Sequence, residues 1–260
     1  MGPFRLSRPA YPGAVVTWIA DDAFELGGTT YFCRPVGGRF PSEPGRFCLL
    51  KAPPEVEWYE HFLRDRSGRS IVEVGSYDGA SSAFFAEIAH PTRLITIDRR
   101  PEPTAALTEF IARRDLGAVV TPYNGVDQGD TTRLREILDE AFGTAPIDLV
   151  VDDASHLVDL TRTTFNCLFP RLAVGGSYVI EDWAWAHNFM GKDHPLADQR
   201  PLTALIFELI LACASQPKVV KSVNVFRHCA VIERGPAEID PATFDLAKCF
   251  GPRGAALIAD

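Results

Sequence analysis

Residues 71–85 read IVEVGSYDGASSAFF. A β-branched run passes through a glycine-bounded turn and directly into an apolar helical stretch, which is how a βαβ unit begins. Glu73, Gly75, Ser76, Tyr77, Asp78 and Gly79 fall at the strand end and in the turn. Glycine there lets the backbone turn tightly and approach a ligand. Ser81 or Ser82 can cap the helix that follows, whose free N–H groups attract polar or anionic groups.

The same alternation continues outward. SIVEVGS, RLITIDR, AVVTPYN, IDLVVDD and SYVIEDW are short β-branched runs ending in polar or glycine residues. Between them lie the helical patterns SSAFFAEIAH, PTAALTEFIARRD, TTRLREILDEAF and TRTTFNCLFPRLA. Such a series predicts an α/β fold, a Rossmann-like doubly wound parallel sheet with helices on both faces. Downstream come a loop (DWAWAHNFMGKDHPLADQRP), a helix over 201–215 and two last strands, KVVKSVNVF and CAVIERG. Upstream, PEVEWYEHFLRDR (54–66) has helical spacing, whereas residues 1–50 are rich in Gly and Pro and weakly periodic. The chain therefore divides into an N-terminal arm or cap with a first helix (1–66) and an α/β domain (67–260).

Bulk properties narrow the class. The 260 residues are 46% hydrophobic and 23% charged, with a net charge of −8, which fits a globular protein and excludes a basic nucleic-acid footprint. The six cysteines form no CxxC pair, as expected of reduced thiols in a cytoplasmic protein. MGPFRLSRPAYPG lacks the apolar core of a signal peptide. LTALIFELILACA is too short to span a membrane and carries Glu208, so it reads as a core helix.

In an open α/β sheet, ligands bind outside the carboxyl ends of the strands near the switch point. Asp98 ends LITID about twenty residues after the glycine turn, where an acid binds both ribose hydroxyls. The turn, however, is Gly75-Ser76-Tyr77-Asp78-Gly79 and not GxGxxG. That departure disfavours a pyrophosphate and suits a nucleoside without phosphate, S-adenosylmethionine (SAM). Asp127 and Gln128, after the third strand, are placed for the adenine edge.

The fourth strand delivers Asp152 and Asp153, and the fifth, after Gly175-Gly176, delivers Glu181 and Asp182. Two like charges ~4 Å apart at an effective dielectric of ~20 repel by about 4 kcal/mol, so the group must protonate or hold a cation. Oxygen donors without paired cysteines point to Mg²⁺, or Mn²⁺ or Ca²⁺, and not to zinc. His156 follows Asp153 by three residues and shares a face with it if the chain turns helical there. A neutral imidazole beside a metal-held hydroxyl can take its proton.

VEVGSYDGASS, DDASH and TTFNCLFPRLAVGGSYVIEDW together resemble the Mg²⁺-dependent sugar O-methyltransferases of the macrocin and mycinamicin type, class I SAM enzymes close to the cephalosporin-hydroxylase-like family. The resemblance covers about residues 68–185. It implies a seven-stranded methyltransferase sheet with a reversed last strand. It also implies metal ligands at Asp153, Glu181 and Asp182, and a general base at His156. Asp152 becomes a supporting residue of a SAM shell that comprises Glu73, Gly75, Ser76, Tyr77, Gly79, Ser81, Ser82, Asp98, Asp127 and Gln128. The expected reaction is in-line transfer of the SAM methyl group to a hydroxyl of a sugar, glycolipid or glycosylated natural product, in a homo-oligomer. The family's macrolide enzymes carry a large extra N-terminal domain, and only about 65 residues precede the first strand here.

The loop after the fifth strand (Trp183, Trp185, His187, Phe189, Met190) is rich in aromatics that suit carbohydrate stacking, and Tyr11, Trp18, Tyr31 and Phe32 are candidates to close the pocket. Three rivals stand beside this reading. They are a catechol-type O-methyltransferase, which usually has a lysine base, a non-catalytic SAM-binding protein, and an NADP oxidoreductase suggested by Arg99 and Arg100.

Overall fold

The structure, a computed structural model, describes residues 15–33, 40–64, 69–188 and 196–258. Strands β1 (Thr17–Ala20), β2 (Ala23–Leu26), β3 (Thr29–Cys33) and β4 (Arg46–Leu49) come first, followed by α1 (Pro53–Leu63). The alternating segment is β5 (Ser70–Val74), α2 (Ala80–Ala89), β6 (Arg93–Asp98), α3 (Ala105–Arg113), β7 (Val120–Asn124), α4 (Thr131–Phe142), β8 (Ile147–Asp152), α5 (Val158–Leu168) and β9 (Leu172–Glu181). A single turn, α6 (Trp185–Asn188), then α7 (Thr203–Ser215), β10 (Val220–Val225), β11 (Cys229–Arg234) and α8 (Pro252–Ile258) complete it.

The main sheet has the order β10-β11-β9-β8-β5-β6-β7. β5 through β9 pair in parallel, and β11 runs antiparallel to both β9 and β10. This is the seven-stranded sheet expected, with its reversed strand. The strand order switches between β5 and β8, so the free edge for a ligand lies beyond Val74 and Asp152.

Alternation along the strands divides the core. Val72, Val74, Val150, Tyr178 and Ile180 face one side with α4, α5 and α7. Ile71, Leu149, Val151 and Val179 face the other with α1, α2 and α3. Leu134, Ile137, Leu138 and Ala141 give α4 an apolar stripe at i, i+3, i+4 and i+7. In α7 the buried Glu208 is satisfied by a two-pronged bond from Arg162, at 2.5 and 2.8 Å.

The N-terminal region departs from the expectation of an irregular arm. β1–β4 form a second, four-stranded sheet, with β3 and β4 parallel. Its strands are only four or five residues long, so their period is lost among the surrounding glycines and prolines. Phe24, Tyr31 and Phe47 stack in its core, and Phe84 of α2 meets Phe24 and Tyr31 edge-on. α2 is buried almost all round because the main sheet covers one side and this small sheet the other. β9 differs too: it runs unbroken through Gly175 and Gly176, where the sequence suggested a turn.

Candidate active site

A cavity of about 890 Å³ opens at the carboxyl edge of the main sheet. That volume lies in the range of small-molecule sites. Its wall includes Gly75, Ser76, Tyr77, Ser81, Asp98, Gln128, Asp153, His156 and Asp182. Glu73, Gly79, Ser82, Asp127 and Asp152, also expected around a ligand, lie elsewhere.

Burial pushes the carboxyl of Glu73 up to about 7, and it accepts a 2.5 Å bond from Ser82 beneath the wall. Asp152 is likewise buried and raised to about 7, with the Tyr178 hydroxyl at 2.8 Å. Gly79 caps α2 at φ +88, and a Cβ there would meet the Leu107 side chain at 2.7 Å. Gly75, at φ +86, has no room for a Cβ against the carbonyl of Asp153 and Cα of Ala154. A Cβ at either glycine is therefore excluded by packing between chain segments, and Gly75 also lines the cavity. Asp127 faces solvent and pairs loosely with Arg99.

Asp98 holds the glycine turn in shape. Its Oδ2 accepts from the N–H groups of Ser76 (2.9 Å) and Tyr77 (2.8 Å), and Oδ1 accepts from Arg100 N–H (2.8 Å). Two turn amides are thereby committed to a carboxylate, which leaves them unable to cradle a pyrophosphate and fits a nucleoside without one. The turn is also tied to the small sheet, since Asp78 accepts from Ser42 N–H (3.1 Å) and its hydroxyl (2.5 Å). Gln128 spends its amide group on structure: it accepts from Ser155 N–H at 2.9 Å and donates to Thr164 at 3.0 Å.

Asp153, His156 and Asp182 converge, each offering a donor atom within 4.8 Å of the others. No helical turn joins Asp153 to His156, because α5 starts only at Val158. The loop brings His156 over by a left-handed residue, φ +56, and Asp182 also has φ +53. Outside glycine that conformation costs about 1 kcal/mol or more and tends to be kept at functional sites. Two carboxylates suit Mg²⁺, which takes one or two of them and keeps water in its remaining positions, and leave the imidazole beside it.

Glu181, expected as the third metal ligand, meets Lys51 and Tyr59. Lys51 Nζ lies 2.5 Å from its Oε2 and 3.1 Å from Asp153 Oδ2, and Tyr59 donates to Oε1 at 2.5 Å. Burial pulls the Lys51 ammonium toward neutrality, but the Asp153 and Glu181 carboxylates outweigh it and hold the group well above the usual lysine range. Glu181 is raised by burial and by Asp153, with Lys51 and Tyr59 opposing. Asp182 is raised by burial, against the pull of His156.

Sequence reasoning missed Lys51, Glu55, Arg227 and His228, all on the cavity wall. Arg227 and His228 had a signal, because they sit between the two last strands, KVVKSVNVF and CAVIERG. Burial, then Lys51, keep His228 below the ordinary histidine value. Of the aromatics, Trp185 lines the cavity with its ring 6.0 Å from that of His156, whereas Trp183 donates to Phe226 O at 2.8 Å and His187 meets Thr203. Trp18 and Tyr31 pack around Phe24, and Phe32 packs on Phe40. Tyr11, Phe189 and Met190 lie outside the described residues.

Residues 72–183 match a family described as "Methyltransferase domain". Among curated proteins, 8-demethyl-8-alpha-L-rhamnosyl tetracenomycin-C 2'-O-methyltransferase of Streptomyces olivaceus is 52% identical over 56 residues, 22% of this chain and 14% of that one. Demethylmacrocin O-methyltransferase of Streptomyces fradiae is 32% identical over 124 residues, 42% of this chain and 31% of that one. The chain thus spans less than a third of the length of either relative. Among solved structures, MycE methyltransferase from the mycinamycin biosynthetic pathway, in complex with Mg and SAH, aligns with a TM-score of 0.53 at 24% identity, over 69% of this chain and 49% of that one. The O-methyltransferase TomG from Streptomyces achromogenes, in complex with SAM, aligns with a TM-score of 0.52 at 22% identity, over 71% and 81%.

Proposed function

We propose, from the premise that residues 72–183 are a methyltransferase domain on a class I fold, that this chain is an O-methyltransferase acting on a hydroxyl of a sugar or glycoside. The observation that carries the reading is the convergence of Asp153, His156 and Asp182 within 4.8 Å on the wall of a cavity that also holds Asp98. The relatives' names support the substrate class, since the two curated enzymes are a rhamnosyl tetracenomycin methyltransferase and demethylmacrocin O-methyltransferase.

SAM supplies the transferable methyl group, and a divalent cation, Mg²⁺ in this reading, supplies positive charge that stabilises an acceptor oxygen as its proton leaves. Asp153 and Asp182 are the residues to hold that cation. His156 takes the acceptor's proton, and Asp182 Oδ2, 3.9 Å from Nε2, stabilises the imidazolium so formed. Asp98, Ser76, Tyr77 and Ser81 line the nucleoside end, and Trp185, Arg227 and His228 border the acceptor. Holding the two reactants in line contributes about 7–11 kcal/mol to such a reaction.

The pairing of the Lys51 ammonium with the Asp153 and Glu181 carboxylates favours His156 over a lysine base of the catechol type. The reading carries with it a homo-oligomer in the cytoplasm. No helix among the described residues is long and apolar enough to cross a membrane. Mass spectrometry of rhamnosides and other glycosides incubated with SAM tests the proposal, with the gain of one methyl group as the expected result. Binding of NADP without binding of SAM would overturn the class assignment.

A further inference from the structure

Glu55 lies in the first turn of α1 and on the wall of the cavity, and nothing in the reaction above uses it. Its Oε2 accepts from the Ala52 N–H at 2.7 Å, which caps the helix and fixes the direction of the carboxylate. Capping occupies one oxygen. Oε1 remains accessible, with no hydrogen-bond partner among the described residues. Burial is the main cause that raises this carboxyl; the Ala52 N–H and Lys51 oppose it, and Glu181 and Asp182 add to it. The side chain thus stands within electrostatic reach of the end of β9, where Asp182 faces the cavity.

The rest of α1 keeps Glu55 in place. Trp58, three residues on, stacks on Phe62 at 4.6 Å and meets Phe226 at 5.4 Å and His228 at 5.1 Å. The His228 carbonyl in turn accepts from the Asp182 N–H at 2.8 Å, so α1 is locked against the segment that supports Asp182. Other polar side chains of the wall are already engaged. Asp78 and Asp98 hold the glycine turn, Gln128 bonds Ser155 and Thr164, and Lys51 meets Asp153 and Glu181.

We propose that Glu55 is a specificity-determining residue whose Oε1 accepts a hydrogen bond from a hydroxyl of the acceptor sugar other than the one methylated. The inference rests on the glycoside reading above and deepens it, because it requires an acceptor ring with a further free hydroxyl and not a lone alcohol or phenol. A sugar hydroxyl carries one donor, and a carboxylate oxygen directed by a cap is a rigid acceptor for it. A site built to hydrogen-bond a hydroxyl rejects the analogue without it, because its own polar group is left unpaired.

Steady-state kinetics with SAM and Mg²⁺ test this on the fastest-methylated glycoside, starting from methyl rhamnoside, and on its monodeoxy analogues. Melting temperature and S-adenosylhomocysteine affinity control for the fold. Glu55→Ala is expected to lower kcat/KM for the parent glycoside by about tenfold to a hundredfold, with S-adenosylhomocysteine affinity unchanged. On one monodeoxy analogue the wild type is expected to fall by a similar factor. Glu55→Ala then loses no more than about twofold further, since the partner hydroxyl is already gone. Losses of equal factor on the parent and every analogue, or no loss in a folded Glu55→Ala, overturn the proposal and leave the glycoside reading intact. If Glu55→Ala fails to fold, Glu55→Gln decides in the same comparison: it keeps an oxygen for the Ala52 N–H and presents an amide donor in place of the Oε1 acceptor. Absence of methyl transfer to any glycoside by the wild type overturns the glycoside reading, and this proposal with it.

Discussion

His156 depends on residues distant from it in sequence. Gln128 fixes the backbone one residue before it, and Asp182 comes from the end of β9. Replacing His156 with Ala removes the proton acceptor but leaves the nucleoside end of the cavity untouched. We expect kcat to fall by about 10²- to 10⁴-fold, with SAM affinity, measured by calorimetry, unchanged. Gly75 presents the opposite case, a residue required by space. Gly75→Ala forces a Cβ into the backbone of Asp153 and Ala154 at a left-handed φ, and a loss of about 2–4 kcal/mol in urea unfolding is expected. Asp98, Asp153, His156 and Asp182 were legible in the sequence because each follows a recognisable strand. Lys51 was not, since its partners lie 102 and 130 residues away. Glu181 follows a recognisable strand in the same way, but no local pattern announces the Lys51 ammonium that meets it.

At the level of elements, β5 and β8 carry two acids into the interior. Glu73 has a folded-state pKa of about 7 against 4.5 when solvated, and Asp152 about 7 against 3.8, with burial the leading cause in both. Between those values the folded state binds more protons than the unfolded state, so stability falls as pH rises from about 4 to 7. The Glu73 contribution is about 3 kcal/mol, fully present below pH 4.5 and lost above 7. Glu73→Gln is therefore expected to flatten part of this pH dependence in thermal or urea melts, leaving the part due to Asp152. An unchanged slope in that variant would mean that Glu73 is ionised in the fold. The alternation of β5 to β9 with their helices was readable because each period is long enough to register. The small sheet was not readable in its own strands, but α2 held an indirect sign of it. SSAFFAEIAH is apolar on every side, and such a helix needs a second cover. Ser42 of that cover holds Asp78 in the glycine turn, and Ser42→Ala is expected to cost about 1–2 kcal/mol.

For the whole molecule, two sheets meet at one cavity. The seven-stranded sheet brings Asp98, Asp153, His156 and Asp182 to its carboxyl edge, and the small sheet brings Lys51 and fixes the turn at Asp78. The hairpin of β10 and β11 adds Arg227 and His228 from the other side. This convergence explains why the fold and cofactor edge could be read from residues 71–182 while the acceptor side could not. The acceptor wall is drawn from segments far apart in sequence, which come together only in three dimensions. The central claim is methyl transfer from SAM to a saccharide hydroxyl at the Asp153–His156–Asp182 centre. Its most direct test is transfer of labelled methyl from SAM to a panel of rhamnosyl and other glycosides, with and without EDTA. The account predicts label in a glycoside, lost on chelation, restored by added Mg²⁺ and reduced at least about 10²-fold in His156→Ala. Undiminished transfer in the presence of EDTA, or full activity in His156→Ala, would contradict it.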